Sequence, residues 1–164
     1  MKKKLTYIGI GIIVLALFGF GYYTISPLFI NIKVDEASPE VKQAEPKAES
    51  GAKEEPEPKI TFAEVVGTTA HPASGRVRIV KAEGKQYIRY ENFKTINGPD
   101  IYVYLSNDLE AEDFVNLGRV KGTEGNINYE VPSHVRIADY KYVIIWCKAF
   151  GVLFNHADLA QISR

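Results

Sequence analysis

The chain has 164 residues, enough for one domain with additions, and it balances 20 basic against 20 acidic residues. That balance leaves no global field to draw in nucleic acid or an acidic substrate. A single cysteine excludes an intramolecular disulfide, a thiolate zinc cage and covalent c-type haem attachment. The charge is nevertheless distributed unevenly, and three regions follow from the shifts: 1–32 with only Lys2, Lys3 and Lys4, 33–59 with five lysines against eight acidic residues, and 60–164 with twelve of each.

In residues 1–32 the three lysines precede an uncharged run, most apolar over Leu5–Tyr23. About 20 residues rising ~1.5 Å each cross the ~30 Å hydrocarbon core of a bilayer. Tyr7 at one end and Tyr22-Tyr23 at the other suit the two interfaces, and the lysines favour a cytoplasmic N-terminus. A cleaved signal peptide is the competing reading, but its apolar region is shorter, and Gly21-Tyr-Tyr-Thr-Ile-Ser-Pro27 is a poor cleavage site. The expectation is an uncleaved single-pass anchor in the cell membrane, with everything after it extracytoplasmic. Ser26-Pro27 should end the helix, and Leu28–Ile32 is apolar enough to lie at the membrane surface or pack on the folded domain.

Residues 33–59 contain four prolines among Glu, Lys, Ala and Ser and have no aromatic residue. Such a segment cannot bury enough apolar area to offset its ordering entropy, so it is read as a disordered linker. As a coil it would extend roughly 30 Å.

Residues 60–164 hold thirteen of the nineteen aromatic residues and a succession of strand patterns separated by turn signals. Arg76–Val80 and Tyr87–Tyr90 flank Glu83-Gly84-Lys85 as a hairpin, and Asn97-Gly-Pro-Asp100 is a turn. In Ile101–Leu105, Ile101, Val103 and Leu105 share one face and Tyr102 and Tyr104 the other. Asn107–Asp113 is read as one helical turn, Phe114–Gly118 as a strand, Gly122–Asn126 as a turn, and Ile127–Val131 as a strand stopped by Pro132. Tyr142–Ala149 is the central strand, broken by Gly151 and resumed in Val152–Phe154, with a short closing segment at Ala157–Ala160. Val143, Ile145, Cys147 and Ala149 form its core face; Tyr142, Ile144, Trp146 and Lys148 form the face nearer water. No amphipathic helical pattern exceeds about two turns. The expected fold is all-β, an antiparallel β-sandwich or flattened barrel, preceded by one transmembrane helix and a disordered linker.

No nucleotide-binding glycine loop, nucleophile elbow or catalytic carboxylate pair is present, so an enzyme is not expected. Cys147 reads either as a redox thiol or ligand or as a small core residue; its aliphatic face-mates favour the second. A lone thiol cannot complete a disulfide cycle without a partner thiol, a second chain or a cofactor. His71, His134 and His156 lack metal-ligand spacing, so no metal site is expected. A Cys–His pair would need one of them to face Cys147, and His156 is the nearest in sequence. Asp100 reads as a turn cap or, with Asn92 or Asn126, as part of a ligand site. Tyr102, Tyr104 and Trp146 read as cross-strand packing or as an exposed aromatic ligand patch.

The ordered series Tyr90-Glu-Asn-Phe93, Asn97-Gly-Pro-Asp-Ile-Tyr-Val-Tyr-Leu-Ser106, Leu117-Gly118, Lys121-Gly122 with Gly125-Asn126, Tyr129 with Val131-Pro132, Ile145-Trp-Cys-Lys-Ala-Phe150 and Phe154-x-x-Ala157-x-Leu159 resembles the DM13 domain over about residues 65–162. Members similar to this chain are microbial membrane-anchored and animal cell-surface proteins, often joined to DOMON domains that bind haem or sugars. The resemblance implies a part in electron transfer through a characteristic cysteine, acting as a bare thiol or as ligand to a group such as haem; Cys147 matches it, and His156 is the candidate companion ligand. It also implies a redox or cell-envelope protein as partner; nucleic acid is not expected, because the domain is neutral and read as exported. The alternatives are a non-catalytic ligand- or protein-binding β-sandwich with a structural Cys147, and a small structural component of the envelope.

Overall fold

The computed structural model describes residues 2–40 and 61–162. Helix α1 runs Lys2–Ile25 and is continued by a single 3-10 turn, Ser26–Phe29, with Pro27 in its first turn. Its apolar window, Thr6–Phe29, has mean hydropathy 2.0 and no residue buried inside the protein. By length and composition α1 can cross a membrane, as the sequence leads one to expect, and a helix apolar on every side has no water-facing stripe.

Two five-stranded sheets then pack face to face, so the expected β-sandwich is the fold. The strands are β1 (Lys33–Asp35), β2 (Ala63–Glu64), β3 (Val66–Gly67), β4 (Ala73–Ala82), β5 (Lys85–Thr95), β6 (Ile101–Ser106), β7 (Phe114–Arg119), β8 (Glu124–Val131), β9 (Tyr142–Cys147) and β10 (Val152–Asp158). The first sheet has the order β1-β8-β5-β4-β2 and the second β3-β10-β9-β6-β7. All pairings are antiparallel except β1 with β8. The β4–β5 hairpin closes through Glu83-Gly84, both at positive φ (52° and 74°), the two-residue turn whose twist matches paired strands. The core between the sheets takes Val77, Ile88, Tyr90 and Ile127 from one side and Val103, Leu105, Val143 and Ile145 from the other. These are the alternate residues of each strand, which is why period-two patterning located them.

Several expectations are corrected. The linker was read as disordered from Lys33, but Lys33–Asp35 forms β1 and the chain stays docked as far as Glu40; residues 41–59 lie outside the described residues. The physical reason is polar. Ile32 exchanges backbone and side-chain hydrogen bonds with Thr123, the Asn128 N–H donates to the Glu36 carboxylate at 2.7 Å, and Arg78 donates to Glu40. Composition predicts disorder from missing apolar area and does not register such bonds. Gly125, at φ 119°, is required here, because a side chain would run into the Val34 carbonyl of β1. Asn107–Asp113 is not helical; the Asp108 carboxylate gathers the N–H groups of Glu110, Glu112 and Asp113 at 3.0 Å each, a local competitor of helix. Glu124–Asn126, read as a turn, belongs to β8. Ala149, placed on the core face, is exposed, because β9 ends at Cys147 and the Gly151 N–H turns back to the Cys147 carbonyl.

Candidate functional site

Cys147 is the last residue of β9, opposite Ile101 of β6 and Val152 of β10. Its residue has no exposed surface and belongs to the core cluster with Val143 and Ile145. It lines neither the cleft between Glu36 and Tyr87 nor the clefts at the helix exit. His156 pairs with Ile144, so strand alternation places it on the opposite face of the sheet from Cys147. It lies edge-on to Tyr142, 5.9 Å between ring centroids. His71 stacks on Phe154 at 3.9 Å with its Nδ1 3.0 Å from Thr68 Oγ1; burial lowers its pKa from the ordinary value, partly offset by a backbone hydrogen bond involving Leu153. His134 is exposed. No group of three or more His, Cys, Asp or Glu among the described residues could hold a metal. A Cys147–His156 ligand pair does not form in this fold, because the two side chains lie on opposite faces of the sheet, and a macrocycle beside the sulfur would have to displace close-packed core.

The aromatic candidates do come together. Trp146, Tyr102 and Arg119 form one cross-strand row on the outer face of the second sheet. Trp146 and Tyr102 are half-buried there, Leu153 extends the row, and Phe114 is 42% exposed. Arg119 and Lys148 each place a cation within 6 Å of the Tyr102 ring, at 5.7 and 5.9 Å. Tyr104 does not join an exposed patch. It is 2% exposed, stacked under Phe114 at 4.2 Å, so here the packing reading holds. Asp100 is paired with Arg119 at 2.8 Å, and its carbonyl receives the Lys148 N–H, so it pins the edge of the aromatic row. The other two residues weighed with it act elsewhere: the Asn92 N–H donates to the Asn126 side chain across the β5 bulge, and Asn126 in turn donates to Asp35.

Sequence reasoning missed a buried ionic cluster on the outer face of the first sheet. Arg78 and Arg89, each 6% exposed, both donate through Nε to one oxygen of Glu91 at 2.9 Å. Arg78 also reaches Glu40 and Ser38, and Arg89 reaches Asn128 and the Glu36 carbonyl. Burial works against the Glu91 charge, but the hydrogen bonds and charges of Arg78 and Arg89 outweigh it and hold its pKa below the ordinary glutamate value. The available signal was the alternation Arg76-x-Arg78 and Arg89-x-Glu91, which puts these charges on one face of a hairpin.

The family model described as "Electron transfer DM13" matches residues 64–159. The chain belongs to this family. That span covers the sandwich from β2 to the first residue of a closing 3-10 turn, Leu159–Gln161, and leaves out α1 and β1. DM13 is thus an electron-transfer-associated family, and this chain is a member of it. No curated protein and no solved structure matches the chain.

Proposed function

We propose that this DM13 protein is a single-pass membrane protein, N-terminus inside, whose sandwich works at the outer membrane surface and supports electron transfer by docking a redox protein of the cell envelope. The observation that carries the reading is the outer face of the second sheet. An outward face of an antiparallel sheet is ordinarily polar. This one presents Trp146, Tyr102, Leu153, Tyr142 and Phe114, half-buried or exposed, beside Arg119 and Lys148. Aromatic residues and arginine are the groups that anchor protein interfaces. Anchoring is supported by α1 and by the docking of Ile30–Glu40, which holds the domain beside the helix exit.

The second reading keeps Cys147 as the redox group. It is favoured by family membership and by the position of Cys147 directly after the half-buried Trp146, one strand residue from the outer face. One experiment separates the two. Cells displaying the full chain are given a membrane-impermeant electron acceptor, and its reduction is compared for wild type, Trp146→Ala, Tyr102→Ala and Cys147→Ala at matched surface levels. The docking reading expects the two aromatic variants to lose activity and Cys147→Ala to keep it. Loss in Cys147→Ala alone, with the domain still folded, hands the role to the thiol.

A further inference from the structure

Where α1 leaves the membrane it meets the domain, and two clefts join there. The upper one, about 430 Å³, lies between the helix exit at Tyr22, Tyr23 and Ser26 and the domain at Asn97, Pro99 and Arg119. The lower one, about 660 Å³, runs along Leu17, Phe18, Gly21, Ile25 and Phe29. They share Tyr22, Ser26 and Ile30, so they adjoin as one groove, walled by helix and domain above and only by the open apolar face of the helix and its 3-10 turn below. The walls of the upper part are held in place. Asn97 Nδ2 donates to the Ile30 carbonyl at 3.1 Å, and Asn97 Oδ1 receives the Gly98 N–H at 2.8 Å. Thr123 clasps Ile32 from the far side, its N–H donating to the Ile32 carbonyl at 2.7 Å and its Oγ1 receiving the Ile32 N–H at 2.9 Å.

Among the described residues Arg119 is the one charged residue lining the upper cleft, and Asp100 beside it offsets part of its charge. One nitrogen of its guanidinium, Nη2, is used by the Pro99 carbonyl at 3.0 Å and by Asp100 at 2.8 Å. The fork carries five N–H donors and matches phosphate oxygens in pairs. Leu28, Phe29 and Ile30 remain 47, 83 and 52% exposed beside it, an apolar surface continuous with the membrane span. A polar upper end with one cation, placed at headgroup level, and a wholly apolar lower end along the helix are the two halves of a lipid.

We propose that this groove is a binding site for one acidic phospholipid of the outer leaflet, its phosphate on Arg119 and an acyl chain along Leu17–Phe29. The site rests on the membrane-anchored reading, since α1 forms one wall. The lipid orients the domain on the bilayer by tying the end of β7 to the headgroup layer.

The test uses the full chain isolated from membranes, delipidated in mild detergent and titrated with phosphatidylglycerol or phosphatidylcholine under native mass spectrometry. A single phosphatidylglycerol adduct is expected, weakened about tenfold in Arg119→Gln, the loss of one charge-assisted hydrogen-bonding group. Arg119→Lys retains part of it, and Arg136→Gln, an exposed arginine paired with Asp139, matches wild type. Phosphatidylcholine, whose phosphate is balanced by its own ammonium, binds more weakly. Equal retention of both lipids, or equal retention by wild type and Arg119→Gln, would overturn the site. The intact mass keeps the two readings apart. A full-length chain without the adduct defeats the lipid site alone, whereas a chain cut before Ser26 has lost one wall and defeats the anchor as well.

Discussion

Glu91→Gln is the most direct test of what holds the outer layer of the first sheet. The substitution keeps side-chain volume but removes the charge that faces three guanidinium groups, 2.9 Å from Nε of Arg78 and of Arg89 and 3.4 Å from Nη2 of Arg76. Removing one partner of a buried ion pair costs ~3–5 kcal/mol because the other charge is left uncompensated. Two features reduce that here: the Glu91 side chain is 16% exposed, and Arg78 keeps Glu40 while Arg89 keeps Asn128. The expected loss is about 2 kcal/mol. For a domain of this size each kcal/mol moves Tm by about 4–8 °C, so the shift is on the order of 10 °C. Trp146, the sole tryptophan, reports unfolding of the sandwich in the full chain without a label. The pH dependence carries a sign. Glu91 titrates lower folded than unfolded, so its contribution is complete above the ordinary glutamate value of about 4.3 and is lost as pH falls through the folded value. Wild type therefore shows an acid limb that Glu91→Gln lacks in part. A variant as stable as wild type at pH 7, with the same acid limb, would refute the assignment of a stabilising role to this cluster.

Cys147 in the folded full chain should resist a thiol reagent and react at once in denaturant; rapid reaction with the native protein would place the sulfur at a surface it does not reach here. Cys147→Ser should cost roughly 1–3 kcal/mol by putting a hydroxyl among Val143, Ile145 and Ile101, measured by urea unfolding. Gly125→Ala should free β1, because the new methyl meets the Val34 carbonyl; limited proteolysis should then cut within residues 33–40, and unchanged protection would show that the strand is held without that close approach. Asp108→Ala should speed hydrogen exchange at the amides of Glu110, Glu112 and Asp113 and leave the rest of the domain unchanged.

What the sequence made legible was the facing of the apolar strands, up to the point where β9 ends at Cys147. Ile101, Val103 and Leu105 against Tyr102 and Tyr104, and Val143, Ile145 and Cys147 against Tyr142 and Trp146, were assigned to faces correctly because a half-buried strand writes its faces at period two. Pairing across distance was not legible. Nothing local in Lys33-Val-Asp35 announces a strand, since its partner Glu124–Asn126 lies some ninety residues away and its bonds are mostly polar. The same limit hid the ion cluster, which assembles Glu40, Arg78, Arg89 and Glu91 from three segments. For Tyr104 alternation gives the face but not the choice between packing and exposure, which Phe114 of the neighbouring strand decides by lying over it. His156 was near Cys147 in sequence yet on the other face, a parity that depends on the bulge between Leu153 and Asn155.

The aromatic face also has a direction, and that decides what it can bind. Its lower end, beside the helix exit, carries Arg119 and Lys148; its upper end, past Ser106, carries the loop with Asp108, Glu110, Glu112 and Asp113. Six residues of β6 separate the two ends, roughly 20 Å. On the proposed anchoring, a two-fold pair of copies has its axis along the membrane normal, so pairing through this face sets Lys148 beside Lys148 and acid beside acid, with Arg119 offset by its own Asp100. An antiparallel arrangement would match the charges but would point the two anchors at opposite membranes. Chains labelled with donor and acceptor dyes in one vesicle should therefore show no energy transfer beyond random encounter at low salt. Efficient transfer abolished by Trp146→Ala would mean that the face serves self-association after all. Without it, the proposed redox partner is expected to carry charges that run the other way, acidic beside the helix exit and basic beside the Asp108 loop.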